Sequence, residues 1–170
     1  AELVDDLFAA AAYIDNLEAF CGFSLNRAWA GPLPDALLIT TYCGLGAMGA
    51  LTRRGRARVI PFAMSQLSAA LAARTLPVDV VLLQVSPADA DGFHSLGFAA
   101  DYVWEAAQRA RVVVAQVNAQ VPVTHNSCRL HAGRLVIAGE CDTPLPESPR
   151  EPVGDLQSRI AKEVASLVPD

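Results

Sequence analysis

At 170 residues the chain has the length of one domain, and 52% hydrophobic against 18% charged residues, with mean hydropathy +0.29, excludes a disordered polymer. The longest apolar run, residues 78–85, is interrupted by Asp79 and falls far short of the roughly 20 residues of a membrane helix. Thirteen Lys and Arg against 18 Asp and Glu give a net charge of -5 and a pI near 5.1, so the chain lacks the basic field that holds a phosphate backbone and nucleic acid is not an expected partner.

In chain order, Leu3, Leu7, Ala10, Ala11 and Ile14 recur at helical spacing and predict an opening helix. A strand is expected within residues 17–25, and Gly31, Pro32 and Pro34 then lead into a β-rich run at 36–42. After a glycine-containing stretch, residues 57–62 read as a short strand and 65–73 as a helix. The nearly continuous apolar run at 78–85 predicts the strongest strand, of the kind covered by helices on both faces of a parallel sheet. Residues 86–97 read as a loop, 99–109 as a helix and 111–117 as a strand, an order that implies a mainly parallel sheet built by crossovers. Residues 135–138 suggest an edge strand. Pro144, Pro146, Pro149 and Pro152 stiffen the segment after that strand, and Val153, Leu156, Ile160, Val164 and Leu167 form the stripe of a last helix with Pro152 near its first turn.

Four features invite a chemical reading. Residues 44–49 spell GLGAMG, a literal GxGxxG after a predicted strand, but no acidic residue comes about twenty positions on, so a tight strand-to-helix turn is the better account. Cys128 and His131 have CxxH spacing, with His125 and Cys141 nearby, yet a zinc site needs a second such pair, and unrelated loop and strand residues explain them. No GxSxG elbow accompanies His94, His125 and His131, and none of Cys21, Cys43, Cys128 and Cys141 adjoins a helix start with an evident base. The loop at 86–97 lies at the carboxyl end of the strongest strand, where ligands bind in open α/β sheets, and is read as leading free amides into a helix N-terminus. A plain connection shaped by Pro87, Gly92 and Gly97 stays open beside that reading.

At this loop the sequence takes on a specific likeness. Residues 79–87 read DVVLLQVSP, with Asp89, Gly92-Phe93 and Ser95-Leu96-Gly97 after them, an order that resembles the acetyl-CoA hydrolase/transferase family and its pattern DVALIQVSPPDxxGYxSLG. Residues 115–125, AQVNAQVPVTH, are similar to the family's AEVNPQMPRTHG. Pro144-Leu145-Pro146-Glu147 matches its PLPE, and Gly55-Arg56-Ala57 with Pro61 and Ser65 its GRAxYxPxxxS.

The resemblance implies a three-layer α/β/α fold of the CoA-transferase and ribose-5-phosphate isomerase-like kind. It further implies a cytoplasmic, oligomeric enzyme of two such domains, with acyl-CoA and a small carboxylic acid as substrates and no permanently bound cofactor or metal. A glutamate carries CoA as a glutamyl thioester. The implied substrate cleft takes in Ser86, Asp89, Gly92, Ser95, Gly97, Asn118, Gln120 and His125.

Departures from the pattern shape the expectation. The family runs on into a GATLQxGIG segment and a second domain bearing the glutamate, and none of Glu2, Glu18, Glu105, Glu140, Glu147, Glu151 and Glu163 corresponds to it. An opening strand with its glycine loop is expected ahead of residue 1, Val123 stands where an arginine is common, and Asn126 where glycine is. Residues 1–170 are therefore expected to form an incomplete N-terminal CoA-transferase-like domain, inactive alone, whose terminal helix or sheet edge meets a second polypeptide or the C-terminal domain. The alternative is a non-catalytic subunit or specialised biosynthetic homologue working with a second chain.

Overall fold

The computed structural model describes residues 2–97, 99–125, 127–147 and 152–168; Asn126, Pro149 and Glu151 lie outside them. The chain begins with α1 (Glu2–Ala10), β1 (Glu18–Phe20), a 3-10 turn and β2 (Leu38–Thr41). It continues through α2 (Gly46–Arg53), β3 (Arg58–Val59), α3 (Met64–Ala72) and β4 (Val80–Val85). After β5 (Phe93–Ser95) come α4 (Tyr102–Arg109), β6 (Val112–Asn118), β7 (Arg129–His131), a second 3-10 turn, β8 (Val136–Cys141) and α5 (Asp155–Ser166).

β1-β2-β3 form one parallel sheet and β4-β6-β8 another, while β5 and β7 make a small antiparallel ribbon. The mainly parallel α/β class is as the sequence predicts, but the strands divide between two sheets. The strands of the first are too short to extend it, β3 being two residues long. β4 and β6 pair in register from Val80↔Val112 to Val85↔Val117. Alternate residues Val81, Leu83, Val85, Val113 and Ala115 are buried against Leu71 of α3 and Ala106, Ala107 and Ala110 of α4. The small alanines let α4 lie close to the sheet.

The sequence reading places helices over both faces of β4. Within this chain α3 and α4 cover one, and on the other Val80 is 49%, Leu82 38% and Val136 56% exposed. Strand side chains alternate between faces, so a continuous apolar run can contain one covered face and one uncovered face. α5 likewise exposes Leu156, Ile160 and Val164. It starts after Gly154, so Pro152 precedes the helix instead of sitting in its first turn. No helix among the described residues is long and apolar enough to cross a membrane.

The first sheet has its own core of Trp29, Leu37, Ile39, Met48 and Leu51, joined by Phe8 of α1. The two halves meet at Tyr102, whose ring packs on Phe20 and Tyr42 with centroids 5.5 and 5.9 Å away. Its hydroxyl accepts the Gly22 amide at 3.0 Å. Burial, and then the nearby Cys21 thiol, push Tyr102 above the usual phenol range, so it stays neutral as an acceptor.

Candidate functional site

Because β4, β6 and β8 are parallel, their carboxyl ends share one edge. The connection leaving β4 is the most elaborate at that edge, and polar side chains bonded to its own backbone shape it. Ser86 is fully buried. Its Oγ accepts the Ser95 amide at 2.9 Å and donates to the Pro87 carbonyl at 2.8 Å. Asp89 accepts the Asp91 and Phe93 amides on Oδ1 at 3.0 and 2.8 Å, an Asx-type turn, and its Oδ2 meets Arg129 at 2.9 Å. Gly92 takes φ +80 in that turn. β5 then pairs with β7, and Arg129 also lies over the Phe93 ring at 5.0 Å. The Phe93 amide, then the Asp91 amide and the Arg129 guanidinium, hold the Asp89 carboxyl below its ordinary value against the opposing effect of burial.

The loop's return is equally self-bonded. Ser95 Oγ accepts the Gly97 amide at 3.0 Å and the Thr124 amide at 3.3 Å, and Thr124 Oγ1 donates to the Gly97 carbonyl at 3.1 Å. At the end of β6, Asn118 Nδ2 donates to the Thr143 carbonyl at 2.9 Å and to Gln84 Oε1 at 3.4 Å. Its Oδ1 accepts the Gln120 and Thr143 amides at 3.1 and 3.2 Å, which uses the full capacity of the amide. Gln120 donates from Nε2 to Asp142. Asn118 thus ties β6 to the chain leaving β8.

Between these tied strand ends lies an open cleft of about 260 Å³. Pro87, Ala88 and His94 wall it from the loop, Val117 and Ala119 from the end of β6, and Ile137, Glu140 and Cys141 from β8. The His94 ring is fixed by a 2.7 Å bond from Nδ1 to the Ser86 carbonyl. A carbonyl only accepts, so Nδ1 carries the proton.

The residues that the sequence singled out therefore fall into three groups. Ser86, Ser95 and Gly97 form one buried network, Asp89 and Gly92 the β5 turn, and Asn118 and Gln120 the tie to residues 142–143. His125 is exposed beyond the loop. The cleft walls come from their chain neighbours Pro87, His94, Val117 and Ala119. Period-two alternation next to buried polar residues is the signal that could have found them.

Three other readings turn on local geometry. The amides of Phe93, Ser95 and Gly97 are bonded within the loop, and Asp101 caps α4 by accepting from Val103, so among the described residues these amides are not free to lead into that helix. The GLGAMG stretch is the turn from β2 into α2, where Gly46 takes φ +55. Among the described residues no three metal-ligating side chains come together, and His131 Nδ1 accepts the Gly133 amide at 3.1 Å.

A parallel α/β domain with a self-bonded loop walling a cleft at its carboxyl edge is a ligand-binding architecture. Residues 48–132, half of the chain, match the acetyl-CoA hydrolase/transferase N-terminal domain family. The chain is 34% identical over 116 residues to a 4-hydroxybutyrate coenzyme A transferase of Clostridium kluyveri, covering 68% of this chain and 27% of that protein. It is 36% identical over 94 residues to a succinyl-CoA:cyclohexane-1-carboxylate CoA transferase of Geobacter metallireducens, covering 55% of this chain and 22% of that protein. Among solved structures, RipA from Yersinia pestis superimposes over 99% of this chain and 41% of its own, with TM-score 0.87 and 25% identity. A 4-hydroxybutyrate CoA-transferase from Porphyromonas gingivalis does so over 98% of this chain and 44% of its own, with TM-score 0.69 and 25% identity.

The chain belongs to the acetyl-CoA hydrolase/transferase family. It spans about a quarter of the length of these curated relatives, within which it matches the N-terminal part.

Proposed function

We propose that this chain forms the N-terminal half of an acyl-CoA hydrolase or CoA-transferase that moves CoA between small carboxylic acids. Residues 1–170 would make up one incomplete CoA-transferase-like domain. The observation that carries the reading is the loop at 86–97: it bears the pattern of the family, and its Pro87, Ala88 and His94 wall the carboxyl-edge cleft. Ser86, Asp89, Gly92, Ser95 and Gly97 act in this reading by holding those walls in place, and Asn118 and Gln120 by fixing the opposite rim.

The reacting carboxylate comes from outside the chain. A glutamate of the second half attacks the thioester carbonyl carbon and expels CoA thiolate, leaving a mixed anhydride; the thiolate then attacks the glutamyl carbonyl and expels the first acid. An acceptor acid reverses the sequence, and water in its place gives hydrolysis. Splitting the exchange in this way replaces one difficult step by easier ones. The cleft's contribution is to bind and orient the acyl group, with CoA as substrate and no resident cofactor. The α5 stripe and the open face of Val80, Leu82 and Val136 suit an apolar partner surface, either a C-terminal domain or a second polypeptide, in a cytoplasmic oligomer.

A non-catalytic subunit is the second reading, favoured by the presence of a single carboxylate, Glu140, in the cleft wall. The test compares the pure 170-residue chain with the complete protein in an assay of CoA transfer from acetyl-CoA to an acceptor acid. The expected result is no turnover by the chain alone and turnover by the complete protein. Turnover by the chain alone would remove the nucleophile from the second half, and none by the complete protein would leave the subunit reading.

A further inference from the structure

The cleft's walls are unequal in what they can select. Pro87, Ala88, Val117 and Ile137 supply apolar surface without direction, so any choice among acyl groups falls to His94 and Glu140. His94 is 5% exposed, and its Nδ1 is committed to the Ser86 carbonyl. Every buried polar side-chain atom among the described residues has a partner. His94 Nε2 makes no bond of its own and, with the proton on Nδ1, is an acceptor that a hydroxyl of a ligand in the cleft could donate to.

Glu140 stands opposite Val117 in the β6–β8 register and brings a carboxylate to the same space. Among the described residues no Lys or Arg lines the cleft, and Glu140 belongs to none of their ion pairs. A second carboxylate placed between these walls would face Glu140 with no described cation to offset the repulsion, which solvent at this exposed side chain weakens but does not cancel. Selectivity is often built by such a repulsive element, alongside attractive ones.

We infer that Glu140 is a specificity-determining residue that turns dicarboxylic acyl groups away from the cleft, leaving it to monocarboxylic acyl groups whose far end is uncharged. The inference rests on the CoA-transfer reading and names its acyl class. It separates this chain from relatives named for succinyl-CoA, whose acyl group carries a free carboxylate.

The test uses the complete native protein, with kcat/KM measured for butyryl-CoA and succinyl-CoA and with butanoate and succinate as alternative acceptors. The wild type is expected to favour butyryl-CoA by about threefold or more. Glu140→Gln should narrow that ratio about threefold, chiefly through the KM for succinyl-CoA, Glu140→Lys should invert it, and Glu140→Asp should restore the preference. Succinyl-CoA used as well as butyryl-CoA by the wild type, or a ratio that Glu140→Lys leaves unmoved, overturns the inference while CoA transfer stands. Turnover of neither thioester overturns the CoA-transfer reading and the inference with it. Should the variants fail to fold, the wild-type preference, read on both donors and both acceptors, decides the matter.

Discussion

β2 and β4 both leave a parallel sheet at its carboxyl edge through glycine-bearing turns, and the two turns do opposite things. After β2 the chain enters α2 within five residues. Gly46 takes φ +55, and a Cβ there would come 2.8 Å from the Ser24 carbonyl, while one at Gly49 would run into the carbonyl of Gly44. Those glycines let backbone pack on backbone, and the Ala47 amide donates to Ser24 at 3.2 Å across the gap so closed. After β4, the chain makes β5, which β7 later joins as a ribbon, before reaching α4, and Ser86, Asp89 and Ser95 bond its amides. Glycine spacing marks close approach; polar side chains that satisfy a loop's own backbone mark a detour rigid enough to hold a cleft open.

Three substitutions can break that contrast. Gly49→Ala should have the largest effect, destabilising the fold by about 3 kcal/mol because the obstacle is backbone, which cannot swing aside. Chemical denaturation would read it, and near-wild-type stability would show that the first turn has slack. Asn118→Asp should cost about 2 kcal/mol, since it turns an amide that donates to two oxygens into a carboxylate facing them. The same variant should release residues 142–143 from β6, seen as faster amide exchange at Thr143. Ser86→Ala should cost about 1 to 2 kcal/mol by leaving the Ser95 amide without its acceptor. It should also lower CoA transfer by the complete protein, because His94 hangs from the Ser86 carbonyl; an unchanged rate would detach the buried network from the cleft.

The contrast also separates what could be read in the sequence from what could not. Periodicity located β4 and β6 because six paired residues of each carry strong patterns. Local chemistry marked Gly92 as a turn residue, whereas the Asx-type role of Asp89 came from the structure. The β5–β7 ribbon was hidden in a stretch that reads as loop, since three-residue strands 34 residues apart leave no periodic trace and form only when Phe93 meets His131. Nor could the cleft walls be read. Ser86 and Asn118 stand out in a sequence because they are polar, but polarity at a strand end served the backbone here, and the cleft-facing positions went to Pro87, Val117 and Ala119. The open face of Val80 and Leu82 obeys the same logic, because alternation decides exposure and a run of apolar letters conceals it.

The smallest expected effect tests whether the ribbon is held electrostatically as well as by shape. The Phe93 amide, the Asp91 amide and Arg129 favour the ionised Asp89, so its folded value lies below the ordinary 3.8. A carboxyl depressed on folding contributes stability above its unfolded value, and that contribution is lost as pH falls through the folded value, so the window lies below about pH 4. The group is solvent-exposed, and the loss should be local: the ribbon loosens while the parallel sheets stay intact. A carboxyl carbon titration by NMR should place the Asp89 midpoint under 3.8. Over the same range the Phe93 and Asp91 amides should exchange faster than their intrinsic pH dependence requires. Asp89→Asn keeps an oxygen for both amides but removes the charge opposite Arg129, so its ribbon should keep its shape and lose this acid response. If the acid response survives in Asp89→Asn, a different group titrates and the ribbon owes its form to hydrogen bonds and the Phe93 stack alone.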